Sequence, residues 1–100
     1  FKEFRRKNPK VDAVVASNDL LAAGVLAGAR ESGVSVPADL RVIGYNDSII
    51  CECACPTLTS IDNKIEIICN KVIDTLIGIF DGEKVENEFK ATATITIRES

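Results

Sequence analysis

Apolar and polar positions along this chain fall into blocks of different period, and each change of period marks an element. Val11 to Ala16 is apolar except at Asp12, the pattern of a strand covered on both faces, as parallel sheets contain. Ser17, Asn18 and Asp19 follow, all of them residue types that cap helices, and the Ala- and Leu-rich run from Leu20 to Ser32 stops at Gly33. Pro37, Ala38 and Asp39 turn the chain into a second apolar run, Leu40 to Tyr45, broken by Arg41 and closed by Asn46 and Asp47. Strand, helix and strand in this order predict a parallel, right-handed βαβ unit.

Residues 48–56 show no period, and Leu58 to Ile61 predicts a brief strand or bridge. Asp62 or Asn63 can cap a helix over 63–81, in which Ile65, Ile68, Cys69, Val72, Ile73, Leu76 and Phe80 share one broad apolar face and Gly82 marks the end. Phe89 to Arg98 alternates strictly. Phe89, Ala91, Ala93, Ile95 and Ile97 fall on one side and the Lys90, Thr92, Thr94, Thr96 and Arg98 series on the other, which predicts a final strand with one wet face.

Composition narrows the function classes. With 100 residues, 46% hydrophobic and 27% charged, the chain makes at most one packed domain. A net charge of −3 argues against a surface that neutralises phosphates, and Arg5, Arg6 and Lys7 sit beside Glu3, which suits a solvated helix end better than a nucleic-acid arm. No apolar run approaches the ~20 residues of a membrane span, and no signal peptide is visible, so a cytoplasmic location is expected. The chain opens on Phe1 and contains no Met, which reads as a piece of something longer.

Catalysis has little to work with, because the chain has no His, no Gly-x-Ser-x-Gly and no Gly-rich phosphate loop; a non-enzyme without a cofactor is expected. Gly24 and Gly28 lie inside the first long helix and read as points of close packing. Cys51, Cys53, Cys55 and Cys69 invite a metal reading, but the spacing is not that of a structural zinc site. Reduced, buried, metal-free thiols are the expectation. The remaining candidates are two polar clusters, Ser17-Asn18-Asp19 and Asn46-Asp47-Ser48, which follow the two parallel strands where open α/β sheets bind ligands. Both clusters also read simply as helix caps.

The stretch VDAVVASNDLLAAGVLAGARESGVSVPADLRVIGYND, then PTLTSID, then a helix ending in DGE, resembles the C-terminal part of the lactose repressor / galactose repressor (LacI/GalR) family of bacterial transcription regulators, over about Pro9 to Ser100. That resemblance implies a fragment of a periplasmic-binding-protein-like α/β fold. Residues 1–62 would be the latter part of the second effector-binding lobe, 63–88 the crossover helix and 89–100 the final strand. It places Asn18, Asn46 and Asn63 at the effector, leaves Asp19 as the helix cap, and implies that operator DNA is bound only by domains outside this chain. It also implies a homodimer, with Ala23, Ala27 and Cys53 as interface candidates.

Many family members carry Asp where this chain has Asn46, so the effector's hydroxyl pattern is expected to differ, or the effector to be phosphorylated or nitrogenous. The competing expectation is a fragment of a periplasmic or receptor sugar-binding protein of the same fold, which residues preceding Phe1 would decide. Because the strand at 11–16 and the helix at 63–81 lack obvious neighbours, the isolated piece is expected to associate into a dimer or larger.

Overall fold

A computed structural model describes all 100 residues as eight elements: α1 (Lys2–Lys7), β1 (Ala13–Val15), α2 (Asp19–Glu31), β2 (Arg41–Tyr45), α3 (Ile50–Cys53), β3 (Thr59–Asp62), α4 (Ile65–Phe80) and β4 (Thr94–Thr96). One sheet runs β1-β2-β3-β4. β1 pairs parallel with β2 through Val14↔Val42, β2 parallel with β3 through Gly44↔Ser60, and β3 antiparallel with β4 through Ile61↔Ile95. The βαβ expectation holds, and the segment at 58–61 proves to be a third full parallel strand.

The core lies where α2 covers the sheet. Ala22, Leu26 and Ala29 recur on one face of α2 and pack against Leu40, Val42, Leu58 and Cys51, all seven buried. Gly44 allows this close approach, since a Cβ there would collide with the Asp19 carboxylate and lie 3.0 Å from Leu58. Gly28 likewise receives the Phe1 side chain, but Gly24 has open space around it, so close packing explains only one of the two helical glycines. Gly24 instead lines an apolar hollow of about 410 Å³ with Phe1, Phe4, Val14, Leu20, Leu21 and Val25, on the open edge of β1 where Val15 is 68% exposed.

The second half departs from this body. α4 starts two residues later and stops one earlier than the expected 63–81, its N-cap being Lys64 and neither Asp62 nor Asn63; Asp81 is its C-cap and Gly82 follows at φ 72°. Its apolar residues, however, are mostly uncovered: Ile65, Ile67, Ile73, Ile77 and Ile79 are each 53–55% exposed, while Ile68, Val72 and Leu76 line a shallow hollow with the loop residues Glu86 to Phe89. That loop also lays Val85 against Gly78 and Phe89 beneath Lys71. The projecting helix gives a radius of gyration of 18.2 Å, against about 13 Å for a compact domain of this length.

The final strand is shorter than expected, three residues against the alternating ten. Its faces are also reversed. Thr96 and Arg98 turn onto the chain while Ile95 and Ile97 are 57% and 82% exposed, because the polar side meets the Asp47 carboxylate and the apolar side meets no partner here. Beyond it Ser100 is tied in, its N–H donating to the Thr57 carbonyl at 3.0 Å and its hydroxyl to the Val42 carbonyl at 2.6 Å.

Candidate functional site

All three parallel strands end on one edge of the sheet, and each delivers a polar residue there. β1 leads to Asn18, β2 to Asn46 and β3 to Asn63. At the first, the Asn18 side-chain oxygen accepts from the Leu21 N–H at 2.8 Å and caps α2. Asn18 is therefore the cap and Asp19 is not, a correction to the expectation: its carboxylate has turned inward, 2% exposed. It accepts from the Ser60 hydroxyl at 2.5 Å and the Ser48 N–H at 2.7 Å. Burial raises the Asp19 pKa, but these hydrogen bonds outweigh it and hold the carboxyl below its ordinary value. Nearby Cys51 is pushed up, by burial first and by the Asp19 carboxylate second.

The second strand end is a strained loop. Asn46 (φ 103°) and Asp47 (φ 50°) are consecutive non-glycine residues in the left-handed region, each costing on the order of 1–2 kcal/mol unless its surroundings dictate it. Here they do. The Asn46 N–H donates to the Ile61 carbonyl at 2.9 Å and the Asp47 N–H to Ser60 Oγ at 3.1 Å. The Asp47 carboxylate accepts from Thr96 and from Arg98, each at 2.7 Å. That hydrogen bond raises the Arg98 pKa.

Asn46 and Asn63 are brought into contact, Asn63 Nδ2 donating to Asn46 Oδ1 at 3.0 Å. The second oxygen of this pair, Asn63 Oδ1, is shielded from solvent without a partner. Buried acceptors without a partner are uncommon, and each calls for a reason. Beside the pair lies an open hollow of about 390 Å³ lined by Asn46, Asp47, Asp62, Lys64, Ile65, Glu66 and Ile67. Within it the Lys64 ammonium pairs with Asp62 and lowers that carboxyl's pKa, so the two charges offset each other. Asn18 does not line this hollow; it stands one strand away on the same edge. The signal that could have found Asp19, Ser60 and Arg98 was faint, since Asp19 takes its donors from 29 and 41 residues downstream and Asp47 takes Arg98 from 51 residues downstream, spacings that obey no local period.

The interface candidates Ala23, Ala27 and Cys53 also meet, in a shallow hollow of about 250 Å³ with Leu26, Arg30, Ala54 and Cys55. Burial of the thiols holds for Cys51 alone. Cys53, Cys55 and Cys69 are exposed, and no group of three His, Cys, Asp or Glu side chains converges on a metal position.

Three parallel strands that end on one edge, each followed by an asparagine, have the arrangement in which open α/β sheets bind ligands. The chain belongs to the periplasmic binding protein-like domain family, which it matches over residues 1–100, and within that family its relatives are LacI-type regulators. It is 39% identical over 89 residues to an HTH-type transcriptional regulator of Lachnoclostridium phytofermentans, covering 89% of this chain and 27% of that protein. Among solved structures it superposes on the transcriptional regulator CelR–cellobiose complex with TM-score 0.91 at 34% identity, covering 99% of this chain and 31% of that one. A LacI family regulator from Arthrobacter sp. FB24 in complex with lactose gives TM-score 0.86 at 29% identity, covering 98% of this chain and 38% of that one. The chain thus spans about a quarter to two fifths of the length of these relatives, which are transcriptional regulators.

Proposed function

We propose that this chain is the effector-sensing and dimerising portion of a bacterial transcription regulator that works in the cytoplasm and takes a sugar or related polar metabolite at the carboxyl edge of its sheet. The observation that carries the reading is the hydrogen-bonded Asn46–Asn63 pair on a strained loop beside a 390 Å³ hollow. Both Asn18 and Asn46 already use their side-chain oxygens, on Leu21 and Asn63, which leaves their NH₂ groups to donate to ligand oxygens. Similar structures hold cellobiose and lactose, which supports a glycoside-like effector.

Residues 1–62 and 89–100 would belong to one lobe and the crossover helix to the boundary with another. Effector binding then biases one lobe arrangement over the other, and thereby operator affinity. DNA is contacted only by domains beyond this chain, whose net charge is −3. Ala23, Ala27 and Cys53 lie in the subunit contact of a homodimer. Neither catalysis nor a cofactor is part of this function.

The test is a gel-shift titration of the full-length protein on the DNA upstream of its own gene, with cellobiose, lactose and related sugars added in turn. Sugar-dependent DNA affinity is expected, with no sequence-selective shift by the 100-residue chain. DNA binding indifferent to every sugar, or sub-micromolar operator binding by this chain alone, would overturn the proposal.

A further inference from the structure

The connection at 63–93 leaves the sheet after β3 and re-enters it at β4, and its two ends grip adjacent residues of one loop. On the way out, Asn63 donates to the Asn46 side chain at 3.0 Å. On the way back, Thr96 Oγ1 and Arg98 Nη1 each donate to the Asp47 carboxylate at 2.7 Å, and the same Nη1 reaches the Leu58 carbonyl at 2.9 Å. The Asp47–Arg98 pair is largely withdrawn from solvent, with side chains 18% and 17% exposed. Water therefore screens it less than a surface ion pair.

The backbone amides of the loop are fixed separately. Those of Asn46, Asp47 and Ser48 donate in turn to the Ile61 carbonyl, to Ser60 Oγ and to Asp19 Oδ2. These three bonds hold the backbone of the turn, and a grip on one of its side chains adds to them. Asp47 supplies that grip, because a carboxylate can take two donors from one neighbouring strand and resist rotation about the peptide units on either side.

We propose that Arg98, assisted by Thr96, is a positioning residue for Asn46, acting through Asp47, so that the placement of the returning strand sets the orientation of the Asn46 amide. The inference deepens the effector reading above and rests on it for its consequence. A displacement of β4 relative to β2 and β3 then changes what Asn46 presents, while Asn63 reports the outgoing strand to the same side chain. Arg98 itself touches no ligand.

A plain strut between β4 and the body would use the same ion pair, so the test must read the loop. In the full-length protein, amide hydrogen exchange is compared for wild type, Arg98→Gln, Arg98→Lys, Asp47→Asn and the Arg98→Gln/Asp47→Asn double variant. Arg98→Gln is expected to speed exchange at Asn46, Asp47 and Ser48 by about tenfold while Val42 and Leu26 stay protected. Asp47→Asn should do the same, the double variant no more than either single, and Arg98→Lys should recover part of the protection.

Exchange that rises only at 57–59 and 94–98, or effects of the two singles that add, overturns the positioning role. If Arg98→Gln does not fold, Thr96→Val removes one of the two donors on Asp47, and about threefold faster exchange at the same amides is expected; no change there overturns the proposal equally. Calorimetry with cellobiose and lactose as probes separates the two readings. Loosened amides at 46–48 with wild-type sugar affinity would retire Asn46 as a ligand contact and leave the brace standing, whereas unchanged amides sink the brace whatever the sugars do.

Discussion

The body built from β1 to β3 with α2 and the arm built from α4 are about equally apolar in sequence and opposite in burial. The body hides Leu26, Leu40, Val42 and Leu58 at 4% or less exposure, whereas α4 leaves Phe80 at 87% and most of its isoleucines half in solvent. Amphipathic periodicity sets the helix in both cases, but only α2 finds a sheet of its own chain to cover. A long exposed apolar face is the mark of an interaction surface. The candidate site sits at the junction, since Asn63 at the start of the connection and Thr96 and Arg98 after it all bond to the Asn46–Asp47 loop.

The largest expected contrast is in stability. In the 100-residue chain, Leu58→Ala should cost about 2–5 kcal/mol, since the cavity lies in a filled core, while Ile73→Ala on α4 should stay within about 0.5 kcal/mol. Urea denaturation measures both. Equal costs would mean that α4 is covered after all, by association of copies, which sedimentation of the same samples would reveal.

Next is Asp19, the charge at the centre of the body. Asp19→Asn should cost about 2 kcal/mol at pH 7, because two hydrogen bonds to a buried carboxylate become bonds to a neutral amide. The sign with pH follows from the lowered carboxyl: its folded value lies under the ordinary 3.8, so the stabilisation is full above that value and is lost as pH falls through the lower folded one. Wild type and Asp19→Asn should therefore differ at neutral pH and converge under strong acid. A difference that grows on acidification would contradict the assignment.

Asn18 serves α2 and, as proposed, the ligand, and the two roles separate by substitution. Asn18→Ser keeps a capping oxygen and should change stability by less than about 0.5 kcal/mol, while Asn18→Ala should cost about 1 kcal/mol. Thermal unfolding distinguishes them. The smallest effect is chemical: with a thiol reagent under native conditions, Cys55 and Cys69 of the 100-residue chain should label quickly and Cys51 only on unfolding, because burial both covers that thiol and raises its pKa.

These contrasts also show which features were legible in the sequence. The βαβ body could be read directly, because Val11 to Ala16, the Ala-rich helix and Leu40 to Tyr45 each obey one period and are punctuated by Asn, Gly and Pro. The residues at the strand ends were found from the general habit of parallel sheets and from resemblance. What escaped was non-local. Whether Asn18 or Asp19 would cap α2 depended on Ser48 and Ser60, which offer Asp19 a better partner inside. The final strand misled because its alternation is real while its wet face points inward, drawn by Asp47, and its apolar face waits for contacts this chain does not contain.

The central claim, that the strand ends meeting at this junction form the effector site, is tested most directly by calorimetry of the full-length protein against cellobiose, lactose and related sugars, repeated with Asn46→Ala and Asn18→Ser. A sugar that binds the wild type should bind each variant more weakly by about 1–3 kcal/mol, roughly 5- to 150-fold, with the fold intact. Wild-type affinity in both variants, or no sugar bound by the wild type at all, would contradict it.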